Sequence, residues 1–155
     1  MSWLRPYKVI FLSLVVLSVT FIFLLSLTAT SHAQELTTVG SLLDQGGTQL
    51  TKEELTALLK NATVSGVQQG TNAKYRNKYN DDGTLKGSAV LANGQNVGVF
   101  AKWSISENGN IQGDYSNSQG GRWKSSSFYY RLGANYFRAG ASDRNAVANP
   151  IQIEK

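Results

Sequence analysis

Cysteine is absent from the 155-residue chain, and histidine occurs once, as His32. The missing cysteines exclude a disulfide framework, a thiolate nucleophile and a lipid-anchoring cysteine. The missing histidines exclude Ser-His-Asp and Cys-His arrangements beyond residue 32, together with the usual zinc, copper and haem ligand sets. A glycine-rich phosphate loop is lacking too, because the glycines fall between strand-like segments and not ahead of a helix. Carboxylate chemistry is the enzymatic route left, and a glycosidase-type reaction needs two carboxylates converging in a cleft.

What is present begins with an export pattern. Met1 to Lys8 carries Arg5 and Lys8 without an acid, and Val9 to Leu27 is almost unbroken apolar sequence. Ser31 and Ala33 supply small residues three and one positions before Gln34, so cleavage after Ala33 is the expected outcome. The alternative is an inner-membrane anchor through residues 9–29, since about 20 apolar residues can cross a bilayer. Either way the remainder is expected outside the cytoplasm, periplasmic or secreted.

Removing residues 1–33 leaves 122 residues, suited to one domain, and lowers the net charge from +5 to +3. Lys74 to Arg138 holds nine bases against Asp81, Asp82, Glu107 and Asp114. That excess suits either a soluble basic surface or an anionic partner. Without disulfides, such a domain must fold by packing alone, on Trp103, Trp123 and the tyrosines and phenylalanines.

Along the chain, residues 34–48 are polar and glycine-bearing and read as a flexible leader, with docking of the apolar pair Leu42-Leu43 as the alternative. Thr51 and Glu54 stand at capping-box spacing ahead of a stripe of Leu55, Leu58 and Leu59, which predicts a short helix covering an opening or edge of a sheet. From Thr63 the texture is strands and turns. Seven segments, 63–68, 73–80, 84–91, 96–106, 110–116, 122–132 and 135–139, are separated by Asp82-Gly83, Asn93-Gly94, Asn108-Gly109, Gly120-Gly121 and Gly133. The spacing predicts a mainly β fold. It is an antiparallel meander of six to eight strands forming a small barrel or bent sheet, lipocalin-like at most, with one short N-terminal helix. Residues 49–155 form its single domain. The echo of Asp82-Gly83-Thr84-Leu85-Lys86-Gly87 in Asn108-Gly109-Asn110-Ile111-Gln112-Gly113 reads as one hairpin corner used twice, its second glycine relieving close packing.

Alternation assigns the faces. Val97, Val99, Ala101, Trp103 and Ile105 share a core side, and Lys74, Arg76 and Lys78 must face outward, because three unpaired bases cannot be interior. The segment 122–132 carries aromatics and polar groups on both sides, which fits either core packing or a ligand surface. Asp81, Asp82 and Glu107 are ordinary turn acids; Asp114, within a strand, is the one unusual acid, with an ion pair to Arg122 or Lys124 as its plain explanation.

From residue 49 to 139 the chain resembles small periplasmic bacterial proteins grouped as domain of unknown function 995. The likeness is carried by Leu50-Thr51-x-x-Glu54-Leu55-x-x-Leu58-Leu59, by Tyr79-x-x-Asp82-Gly83-Thr84-x-x-Gly87, and by Gly98-x-x-x-x-Trp103-x-Ile105. The aromatic pair of segments Phe128-Tyr129-Tyr130 and Tyr136-Phe137 completes it. Many members carry a cysteine pair in the last two strands, which this chain lacks. The resemblance implies export and fold and brings no activity.

The expected function is therefore non-enzymatic binding in the periplasm or cell envelope. A structural or protein-interaction module and a hydrolase centred on Asp114 are the alternatives. Trp123, Tyr129, Arg131, Tyr136, Arg138 and Asp114 form the candidate binding set, with no catalytic residue, metal ligand or cofactor expected. The expected partner is a small-molecule, lipid or glycan ligand, or an envelope protein. Nucleic acid is not expected, and membrane contact is expected only if the N-terminal segment stays uncleaved.

Overall fold

The computed structural model describes residues 37–155. The export signal and its anchor alternative lie outside the described residues, among which no helix is long and apolar enough to cross a membrane. Among the described residues two helices and nine strands follow one another. They are α1 (Val39–Asp44), β1 (Thr48–Gln49), α2 (Lys52–Leu59), β2 (Thr63–Val67), β3 (Lys74–Tyr79), β4 (Thr84–Val90), β5 (Asn96–Ile105), β6 (Ile111–Asn117), β7 (Arg122–Leu132), β8 (Asn135–Ala139) and β9 (Ala148–Glu154).

The strands β2 to β9 close an eight-stranded antiparallel barrel. Hairpin partners run in order from β2 to β8, and β9 inserts between β8 and β2 to complete the circuit. Short loops make this meander obligatory, since none is long enough for a crossover helix. Closure also removes the long free edges that would invite strand addition. Gly83, Gly94, Gly109, Gly120 and Gly133 all take positive φ at the tight connections, as the turn dipeptides require.

Large aromatic side chains fill the interior, and two inward glycines show how. A Cβ on Gly113 would stand 2.4 Å from the Tyr115 ring, and one on Gly87 would stand 2.1 Å from Asn77 Oδ1. Both are the second glycine of the echoed hairpin corner, so the repeat marks two sites where a neighbour lies flat across the backbone.

The helix α2 forms as the sequence dictates: Thr51 and Glu54 make both bonds of the capping box, and Leu55 and Leu59 are fully buried in the main core. It covers the barrel end that carries the β3–β4, β5–β6 and β7–β8 turns, with a Lys52–Glu107 ion pair tying it to one of them. The opposite end carries the longer β2–β3 and β8–β9 connections.

Two expectations need correction. Residues 37–48 are not a loose leader: Thr38 caps α1, Val39 and Leu42 are buried, and Thr48–Gln49 pairs with β7. The cause is a second apolar cluster on the outside of the barrel, where Val39 and Leu42 cover Phe128, Tyr130, Ala139 and Ala148. Only Leu43 of the Leu42-Leu43 pair stays exposed. The second correction is β9, which the sequence reading omitted. Its signal was muted by Pro150, a residue normally confined to edges; here β2 pairing begins only at Ile151, so Pro150 sits where β9 is paired on one side alone.

Candidate anion site at the open end of the barrel

Alternation along β8 turns Phe137 outward to the second cluster and sends Tyr136 and Arg138 inward. Arg138 is thus a cation carried inside a barrel. It sits opposite Tyr129 on β7 and Asn149 on β9 in the strand register. Its Nη2 lies 3.5 Å from Ser125 Oγ, and its guanidinium carbon lies 5.8 Å from the centroid of the Tyr75 ring. Among the described residues it makes no ion pair, whereas Arg76, Arg131 and Arg144 each have a carboxylate.

The surrounding groups are phenols. Desolvation is the largest influence on Arg138 and opposes its charge; the attraction of the phenolates that Tyr129, Tyr79, Tyr75 and Tyr115 form at high pH holds its pKa above the ordinary arginine value. Burial in turn raises the phenols of Tyr79 and Tyr115, and pushes Tyr129 up to about 12. At neutral pH the cluster is accordingly one fixed cation among neutral O–H groups. The Tyr79 and Tyr129 hydroxyls approach to 3.4 Å, and Tyr79 packs edge-on against Trp103 with centroids 5.2 Å apart.

From the open end a cavity of about 240 Å³ leads to this cluster, lined by Gln68, Tyr75, Ser125, Arg138 and Asn149 with Val67 at the rim. Its lining contains no Asp or Glu. A guanidinium with unused N–H groups, flanked by hydroxyl and amide donors, is the chemistry that receives a carboxylate or phosphate oxygen. Among the described residues there is no group of three or more acidic, His or Cys residues able to hold a metal ion.

The structure divides the six residues anticipated from sequence. Tyr129 and Arg138 lie side by side in the interior, and Tyr136 points inward against the main core. Trp123 is 42 % exposed and stacks on Tyr115 with centroids 5.5 Å apart. Arg131 lies at the other end, 3.7 Å from Glu54 of the covering helix. Asp114 is on the outer surface, its side chain 71 % exposed, between Lys102 and Lys124 in the register and 3.8 Å from the latter. The plain ion-pair explanation of Asp114 therefore holds, and it joins no site with Arg138. An outer groove of about 470 Å³ runs past it, with Lys102, Gln112 and Ser126 on its walls.

Sequence reasoning missed Tyr75, Ser125 and Asn149. Alternation had already separated Tyr75 from the neighbouring bases, but nothing local says that β3 faces β8 across a barrel. Asn149 was missed with its strand. No family model, no curated protein and no solved structure matches the chain.

Proposed function

We propose that the protein is a non-enzymatic extracytoplasmic binding protein that takes a small anionic molecule into the open end of its barrel. The observation that carries this reading is Arg138, an arginine turned into the barrel with phenols around it and no carboxylate partner among the described residues. A desolvated, unpaired cation is a standing cost to the fold, and an arriving anion would offset it. The small, polar cavity suits a compact acid better than an acyl chain or an oligosaccharide, because pockets for drug-sized ligands begin near ~300 Å³. Non-enzymatic action is favoured by the outward placement of Asp114, which leaves the site without a carboxylate for acid–base work.

Thermal melts against a panel of small carboxylates and inorganic phosphate test the reading. A true ligand at 100 times its Kd stabilises by about 2.7 kcal/mol, enough to raise Tm by roughly 10 °C in a domain of this size. Arg138→Met removes that response. A panel that moves neither protein contradicts the proposal.

A further inference from the structure

We propose that the outer arc formed by β2, β3, β4 and β5 is a docking surface for an anionic lipid bilayer. This inference does not rest on the Arg138 site and shares with it only Val67, at the rim of that cavity.

The helix α1 covers the outside of β7, β8 and β9, while no described helix packs on the outside of β2 to β5. On that bare arc three apolar side chains are left in solvent: Val67 is 46 % exposed, Val90 42 % and Phe100 45 %. The strand register sets each of them among bases. Lys74 lies between Val67 and Val90, and Lys86 lies between Lys78 and Phe100. Lys102 is two residues beyond Phe100 on the same face of β5.

Lys78 and Lys86 are direct cross-strand partners, a like-charge pairing that destabilises a sheet. Neither has an ion-pair partner among the described residues. Of the acids nearby, Asp81 makes no ion pair with the lysines of the arc, Asp82 is drawn to Lys86 only as the least of its interactions, and the others are engaged elsewhere. Glu154 is held bidentately by Arg76 at 2.7 and 3.0 Å, Asp82 accepts from the Thr84 amide and hydroxyl, and Asp114 reaches toward Lys124.

Bases ringing exposed apolar side chains match a surface that is negatively charged outside and oily beneath. Nucleic acid fits less well. A single phenylalanine gives no track for successive bases to stack on, and Val67 and Val90 would have nothing to do against a phosphate backbone. Lysine also predominates here, a point charge suited to diffuse headgroups more than to bidentate phosphate recognition.

The test is co-sedimentation of the full-length chain with vesicles of phosphatidylcholine alone and of phosphatidylcholine with one-quarter phosphatidylglycerol, at several salt concentrations. An apolar N-terminal segment would bind both vesicle types, so the difference between them reports the basic arc. Partitioning is expected to favour the anionic vesicles at least tenfold and to fall as salt rises. Lys78→Gln/Lys86→Gln should weaken anionic binding roughly 25-fold, about fivefold for each charge, while melting no lower than the parent. Arg122→Gln/Lys124→Gln, on the far side of the barrel, should leave it unchanged, and Phe100→Ser should weaken it with the salt dependence intact. Equal binding to both vesicle types, equal losses in the two double variants, or tighter binding to single-stranded DNA than to anionic vesicles at the same salt would overturn the proposal.

Discussion

Arg138 differs from the other arginines of the barrel by its surroundings and not by its type. Its counterparts Arg76 and Arg131 also sit on strands, yet each meets a carboxylate at the surface or at the barrel end. Nothing in the local sequence Asn135-Tyr136-Phe137-Arg138-Ala139 foretells that isolation. Alternation puts Tyr136 and Arg138 on one side, but only closure of the barrel shows that the side is interior. Glycine was easier to read, because a repeated turn-Gly-x-aliphatic-x-Gly pattern announces a packing requirement directly. Gly87→Ala brings a Cβ to 2.4 Å from the Arg76 carbonyl oxygen as well as onto Asn77. It should cost about 2–3 kcal/mol, seen as a lower midpoint in urea with little change in slope. Asn77 Oδ1 is itself buried without a hydrogen-bond partner among the described residues, so this part of the interior has little slack.

At the scale of elements, the two helices show where sequence patterns succeed and fail. For α2, cap, acidic first turn and leucine stripe all agree, and the observed bounds follow them. Thr51→Ala removes the capping-box acceptor and should cost about 1 kcal/mol, measurable by thermal or urea unfolding. For α1 the pattern is too short to register: six residues give no periodicity, and the stabilisation comes from Phe128 and Tyr130, about ninety positions away. Leu42→Ala should therefore cost 2–5 kcal/mol, as for a fully buried leucine. A loss below ~0.5 kcal/mol in the same unfolding assay would restore the loose-leader reading. The strand β9 was hidden for a different reason. Its proline is a genuine strand breaker in general, tolerated here by one-sided pairing that only the assembled barrel reveals.

The described residues form a barrel with one end covered by a helix, one end leading to a cation, and two unlike outer faces. Fold class, hairpin order and the outward row Lys74, Arg76 and Lys78 were legible in the sequence, because strand period and turn chemistry are local. The site was not, because it is a meeting of strands distant in sequence. The buried phenols give the assembly a distinctive alkaline limit. Tyr129 loses its proton near pH 10 when unfolded and near pH 12 when folded, mainly because burial disfavours the phenolate. The unfolded chain thus releases protons first. The Tyr129 contribution, on the order of 3 kcal/mol, is complete below pH 10 and disappears as pH rises from 10 toward 12. Urea midpoints should be flat from pH 7 to 9.5 and fall steeply above 10, alongside a late phenolate absorbance. Anion binding should be equally flat to pH 9.5, since the arginine stays charged throughout.

The central claim, that Arg138 is kept in the barrel to meet an anion and not to hold the fold together, is tested most directly by comparing the parent with Arg138→Met. The measurement is Tm of each protein with and without the small carboxylate or phosphate that shifts the parent. The account predicts that Arg138→Met, freed of an unpaired interior charge, melts at or above the parent without ligand and shows no shift with it. A variant that melts several degrees lower, or that still shifts with the same anion, would contradict it.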